Sequence, residues 1–284
     1  MEAEVVLQRI DKVREQMREQ GVDALIIPKA EESSAVDIPY LSGFNGSAAT
    51  LIVTLKKAVL VVDSRYIYQA RQEIRGIDVV GQTKREELFE EIIPRALKDA
   101  KRLGVMKQQL LAFGFYLNLV KHLPHLEIIP LPAIARTGRI VKDEEEILKI
   151  KRSVRATERA LRHAFSVIQP GVTELVAAEA FRSALPPGAK LAFPSIVISG
   201  KRSVFIHGNP TKKRIKRGDV VLLDVGCILP GDDGGYVSDL SRVVVCGTAS
   251  PEQKRMHRAI IEAIDESLEL YKPGLKTFTA HERA

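Results

Sequence analysis

The stretch from Asp219 to Gly247, DVVLLDVGCILPGDDGGYVSDLSRVVVCG, constrains this chain more than any other. Two apolar runs flank a turn rich in Gly and Asp (Pro230 to Gly235), the pattern of strand, hairpin and second strand. A carboxylate accompanies each run: Asp224 lies inside the first, and Asp239 stands just before the second. A carboxylate within a buried strand is costly unless a cation or metal compensates it. Two of them on paired strands repel unless positive charge stands between them. Oxygen donors of this kind suit Mn²⁺, Co²⁺, Mg²⁺ or Zn²⁺. From the pattern alone two readings stay open, a divalent-metal site or caps at turns and strand ends. Asp232 and Asp233 read as solvated turn residues.

His207 is the second candidate. It sits in ISGKRSVFIHGNP, where the chain is expected to leave a strand and enter a turn. It reads either as a proton shuttle or substrate-binding group, or as an ordinary surface histidine. Residues 201–217 around it hold seven Lys/Arg and no acid, whereas the rest of the chain balances 36 basic against 36 acidic residues. The net charge of +7 is therefore one local patch, and a general polyanion-binding protein is not implied. Two cysteines, Cys227 and Cys246, exclude a disulfide scaffold and read as buried thiols of a reducing compartment. The first residues lack the apolar region of a secretory signal, and no apolar run approaches the roughly 18 residues of a membrane span. The expected location is cytoplasmic.

A length of 284 residues suggests two domains. The first half alternates helix-like and strand-like segments. A helix is expected over 8–20, with Ile10, Val13 and Met17 on one stripe. Strands are expected at 24–27, 51–53, 58–62 and 78–80, with helices from Asp63 to Ile74 and over 85–102. That alternation predicts an α/β domain. Pro130 and Pro132 then break the chain, and a long charged helix runs from 141 to about 168. Pro170-Gly171 stops it, and Thr173-Glu174 opens another through Ala184. Strands follow at 195–199, 220–225 and 243–246, and a helix runs over 251–271. The expected division is 1–137 and 138–284.

These residues carry a resemblance. Residues 138–247 resemble the first part of the pita-bread metallopeptidases, the M24 family. The matching elements are Lys142-Asp-Glu-Glu-Glu-Ile147, Gly171-Val-Thr-Glu174, Phe193-Pro-Ser-Ile196, Ser199-Gly200, His207-Gly208, Gly218-Asp219, Asp224-Val-Gly226 and Gly235-Tyr-Val-Ser-Asp-Leu-Ser-Arg242. Residues 1–135 resemble the creatinase-type N-terminal domain through Tyr40-Leu-Ser-Gly-Phe-Asn-Gly46 and Val62-Asp-Ser-Arg-Tyr66. That domain points to the aminopeptidase P, prolidase and creatinase branch. The resemblance implies an α/β, ribonuclease-H-like N-terminal domain followed by an α+β pita-bread catalytic domain. It implies Asp224 as the first metal ligand, Asp239 as the bridging ligand, and His207 as a catalytic, substrate-contacting group outside the metal shell. Two ions (Mn, Co or Zn) would share a water that attacks the scissile carbonyl. The implied substrate is a peptide with proline at its second position, cleaved by an aminopeptidase or dipeptidase that works as a homodimer. No membrane partner is implied, and the basic segment lacks a nucleic-acid motif.

Two departures from the family pattern stand out. Asp224 and Asp239 are 15 positions apart, where the family has about 11, and an even insertion in the turn keeps both on one face. The family's other three ligands, one His and two Glu from later strands, are absent. Thr279-Ala-His-Glu282 reads as a capping box opening a helix two residues before the chain ends, so a C-terminally truncated catalytic domain, inactive alone, is expected. The alternatives are a peptidase-like interaction module using the 201–217 patch, or a creatinase-like hydrolase that needs no metal.

Overall fold

A computed structural model describes residues 1–30, 36–106, 113–231 and 235–283. The chain divides into two units, Met1–Ile147 with Gly231–Gly235, and Leu148–Pro230 with Tyr236–Ala284.

The first unit is built on six strands: β1 (Ala24–Lys29), β2 (Ala49–Thr54), β3 (Ala58–Asp63), β4 (Asp78–Gln82), β5 (Arg102–Met106) and β6 (Glu127–Leu131). Their order is β4-β3-β2-β1-β5-β6. The β1–β2 and β2–β3 pairs are antiparallel, and β3–β4, β1–β5 and β5–β6 are parallel. Period-two alternation sends the residues of each strand to two cores. Leu25, Ile27, Leu51, Val53, Leu60 and Val62 pack with Ile10, Val13 and Met17 of α1 (Ala3–Glu19). Ala24, Ile26, Ile52, Val59 and Val61 pack with Phe89, Ile93 and Phe115 on the other side. Both faces of the inner strands are covered, which is why those strands read as continuous apolar runs.

Three sequence expectations in this unit need correction. The helix expected over 85–102 stops at Ala96, and a π-turn over Leu88–Ile92 widens it. Pro94 follows that turn and has no N–H to give the preceding turn, so a regular helix is interrupted there. Arg102–Met106 is instead an inner strand, and a Cβ at Gly104 would run into the Leu131 side chain. Pro130, taken as a chain breaker, lies within β6, which among the described residues is an edge strand paired with β5. Proline is tolerated there because an edge leaves one side of the strand unpaired.

The segment 138–146 is tied to the first unit. Arg9, almost fully buried, stands 3.0 Å from Asp143 and 3.7 Å from Glu146, and donates to the Tyr40 carbonyl (2.8 Å). The Tyr40 hydroxyl donates to the Gly138 carbonyl (2.8 Å), and Arg139 pairs with Asp37 (2.9 Å). The division by contacts therefore falls after Ile147 rather than between 137 and 138.

The second unit contains most of a long helix (Glu144–Ser166), a shorter one (Glu174–Ser183), and five strands. These are β7 (Lys190–Leu191), β8 (Ile196–Ser199), β9 (Val220–Val225), β10 (Cys227–Ile228) and β11 (Leu240–Val245). The antiparallel order is β11-β9-β8, and β10 pairs with β7. Val197, Val221, Leu223, Val225 and Leu240 face a core completed by Ala160, Ala164, Ala177 and Phe181 from the two helices. Helix Pro251–Leu270 opens with a Ser250/Gln253 capping box. The last helix is Thr277–Arg283, so Thr279, expected as its cap, lies inside it. Among the described residues no helix is long and apolar enough to cross a membrane.

Candidate functional site

The register of β9 against β11 decides where the two aspartates go. Asp224 pairs with Ser241, and Val225 with Leu240. The same register continues through the Ile228–Val237 bridge and the Ser238 amide bond to the Cys227 carbonyl (3.1 Å). The extra residues are therefore confined to the turn beyond Ile228. Side chains alternate in direction, so Asp239, two residues before Ser241, shares a face with Asp224. Gly226 allows this close pairing, since a Cβ there would collide with the Ser238 carbonyl. Asp232 and Asp233 lie outside the described residues.

The two carboxylates meet. The Ser241 hydroxyl donates to Asp224 Oδ1 (2.7 Å) and orients it. Asp239 is exposed by surface area, yet nearby protein removes enough water to raise its carboxyl above the usual range. The negative charge of neighbouring Asp224 pushes it further in the same direction. This is the mutual repulsion that a bound cation relieves. Hard oxygen donors without thiolate or imidazole fit a divalent ion of the Mg²⁺ or Mn²⁺ type. Among the described residues no group of three His, Cys, Asp or Glu side chains is gathered to hold a metal, so the donor set present is the Asp224–Asp239 pair.

His207 lies on a different segment from that pair, between β8 and β9. It does not follow the strand directly, as the sequence suggested. A 3₁₀ turn, Gly200–Val204, intervenes after β8, and His207 is exposed beyond it. Val204, Phe205 and Ile206 before it are also exposed.

Two buried polar networks escaped sequence reasoning. In one, the Ser153 hydroxyl donates to the Cys227 carbonyl (2.7 Å), and the Cys227 amide donates to the Ser238 hydroxyl (3.0 Å). The Thr157 hydroxyl lies 2.7 Å from that of Ser238. It ties the long helix to the strand position just before Asp239. In the other, Glu174 is fully buried and accepts hydrogen bonds from Ser199 and Thr211, and Arg202 Nε stands 3.2 Å from it. Lys213 bridges Ser199 Oγ (2.7 Å) and Asp219 (2.8 Å). Burial opposes ionisation of Asp219, but the bonds from Lys213 and the Lys216 amide outweigh it and hold the carboxyl below its usual range. Position alone hinted at Glu174: an acid directly after a threonine N-cap, at the positive end of a helix.

An α/β domain, then an α+β domain with a carboxylate pair on an antiparallel sheet, is the arrangement of the pita-bread metallopeptidases. The description "Metallopeptidase family M24" matches residues 148–284, and "Creatinase/Prolidase N-terminal domain" matches residues 9–141. Residues 148–284 are thus a domain of metallopeptidase family M24, and residues 9–141 a creatinase/prolidase N-terminal domain ahead of it. It is 28% identical over 274 residues to an Xaa-Pro dipeptidase of Pyrococcus horikoshii, a match covering 96% of this chain and 74% of that protein. The structure of a prolidase from Pyrococcus horikoshii OT3 is similar with a TM-score of 0.84 at 28% identity, over 97% of this chain and 76% of that one. An X-Pro aminopeptidase from Thermotoga maritima MSB8 gives 0.81 at 28% identity, over 94% and 75%.

Proposed function

We propose that this chain is a metal-dependent peptidase of the Xaa-Pro class, an aminopeptidase or dipeptidase of the reducing cytoplasm. It would act on peptides whose second residue is proline. The observation that carries the reading is the meeting of Asp224 and Asp239 on one sheet face, with Asp239 hard to ionise beside its neighbour. The names borne by the relatives, Xaa-Pro dipeptidase and X-Pro aminopeptidase, supply the substrate class. In this reading Asp224 and Asp239 hold the divalent ion or ions, Mn, Co or Zn. A metal in such a site supplies Lewis acidity and a water of lowered pKa. Ser241 keeps Asp224 turned toward the shared face, and His207 contacts the peptide from outside the carboxylate pair.

Two observations weigh against the alternatives. An interaction module would need its basic segment free for a partner. Yet Arg202 pairs with buried Glu174, Lys213 bridges Ser199 and Asp219, and Arg214 donates to the Gly171 carbonyl (2.8 Å). A metal-free hydrolase has no use for two carboxylates placed to repel each other.

The test is Mn²⁺ titration of the chain, followed by the loss of the free-ion paramagnetic resonance signal. Binding is expected on the order of 0.1–1 mM, the weak end of carboxylate sites. Asp224→Asn and Asp239→Asn are each expected to weaken it at least tenfold. Mn²⁺ binding that survives both substitutions sinks the reading. Any hydrolysis by the purified chain is expected only at Xaa-Pro bonds, only with Mn²⁺ or Co²⁺, and not in Asp239→Asn.

A further inference from the structure

We propose that Glu174 is a positioning residue, whose buried carboxylate fixes both ends of the 200–210 segment and thereby holds His207 in place. The importance of His207 rests on the peptidase reading above, whereas the clamp itself does not.

Segment 200–210 has little apolar burial of its own. Val204, Phe205 and Ile206 are 74%, 54% and 78% exposed. A stretch that buries so little is ordinarily mobile. Its ends, however, converge on one side chain. Glu174 Oε1 accepts from the Ser199 amide (2.9 Å) and hydroxyl (2.9 Å), at the point where β8 enters the segment. Glu174 Oε2 accepts from the Thr211 amide (3.1 Å) and hydroxyl (2.7 Å), where the segment ends. A third connection runs through Arg202. Its Nε stands 3.2 Å from Glu174 Oε2, and its Nη2 donates to the carbonyl of Asn209 (2.8 Å), two residues beyond His207. The backbone at the start of helix Glu174–Ser183 adds to this, since the Glu174 and Leu175 amides donate to the Lys213 and Thr211 carbonyls.

The chemistry suits a carboxylate and little else. Glu174 has no exposed surface, so its charge must be met inside the protein. Two oxygens offer acceptor sites for all four N–H and O–H donors and a charge for Arg202. Glutamine at this place keeps the shape but turns one acceptor into a donor, which then faces either the Ser199 or the Thr211 donors. Substitution should therefore release one end of the segment and leave the sheet intact.

The experiment is ¹⁵N relaxation on the 284-residue chain, wild type and Glu174→Gln. In the wild type, amides of 200–210 are expected near the order parameter of about 0.85 typical of rigid backbone, and in Glu174→Gln below about 0.6. Amides of β9 and β11 are expected to stay unchanged. Mn²⁺ bound at Asp224 and Asp239 adds a position-sensitive readout. Its broadening of the His207 imidazole is expected to change in Glu174→Gln, while that of the Ser241 amide does not. A segment equally ordered in both proteins overturns the proposal. So does a wild-type segment already below about 0.6, a measurement that needs no variant to fold. Absence of Mn²⁺ binding counts against the peptidase reading, and the order parameters still decide the clamp.

Discussion

The sheets of the two units handle charge in opposite ways. In the six-stranded sheet every ionisable residue sits at a strand end: Lys29, Asp63, Asp78, Arg102 and Glu127. Its strand interiors carry no charge, and both faces of its inner strands are covered. In the three-stranded sheet one face packs on the core through Val197, Val221, Leu223, Val225 and Leu240 and leaves Arg242 of β11 exposed, while the other holds Asp224 and Ser241 within the strands and Asp239 just before β11. Leu222 and Val243 share that face, and Val243 is 46% exposed. The strand sequences ATLIVT and VVLLDV look alike, yet only the first is buried on both sides. A strand's apolar run thus says how much burial it can accept. An interior carboxylate says which face is kept for chemistry.

Truncating neighbouring residues on one strand breaks or sharpens that contrast, and here the effects are largest. Leu51 and Ile52 point into different cores and are both fully buried. Leu51→Ala and Ile52→Ala are each expected to cost about 2–5 kcal/mol. On β9 the same pair of substitutions should split. Leu223→Ala is expected in that range, and Leu222→Ala well below it, because Leu222 faces the carboxylate side and is only half-buried. Urea titrations followed by circular dichroism, with hydrogen exchange to resolve the units, measure all four. Equal costs at Leu222 and Leu223 would remove the distinction between the two sheets.

Gly226→Ala comes next in size. Its methyl group meets the Ser238 carbonyl, so the hairpin must spread or slip, at about 1–3 kcal/mol. The expected sign of this is loss of protection at the Cys227 and Ser238 amides together with weaker Mn²⁺ binding. Unchanged protection would mean that the hairpin is not held by close backbone approach.

Much of this was legible in the residues, for identifiable reasons. The apolar runs of β1, β2, β3, β4 and β9, and the helices of the second unit up to Leu270, announced themselves through periodicity and caps. The Asp224–Asp239 face followed from counting an even insertion. What escaped detection was local context. Arg102–Met106 has a basic residue and a glycine among its five residues, and only its place between β1 and β6 makes it a strand. The Ser153, Thr157 and Ser238 network and the Glu174 clamp join residues 25 to 85 positions apart. No periodicity or spacing marks a hydroxyl or a carboxylate that is satisfied by partners so distant in the chain.

The smallest effect tests the electrostatic side of the contrast. The folded-state pKa of Asp239 is raised, so the folded chain holds its proton where the unfolded chain has lost it. Stability is therefore expected to fall as pH rises from the ordinary aspartate range, near 4, through the raised value. Asp219 has the opposite sign. Its pKa is lowered, so the stability it contributes is present above the ordinary value and is lost as pH falls through the folded one. Asp239→Asn should remove the first dependence and leave the second. At neutral pH, without metal, it is expected to be slightly more stable than the wild type, because it removes a repulsion from a solvent-screened site. Adding Mn²⁺ should reverse the order, since only the wild type gains stability from the bound ion. Thermal unfolding at pH 4 and pH 7, with and without Mn²⁺, gives all four comparisons. A wild type that outlasts Asp239→Asn at pH 7 without metal would show that the pair is held together by the protein alone, and that its face is no different in kind from the charged strand ends of the first unit.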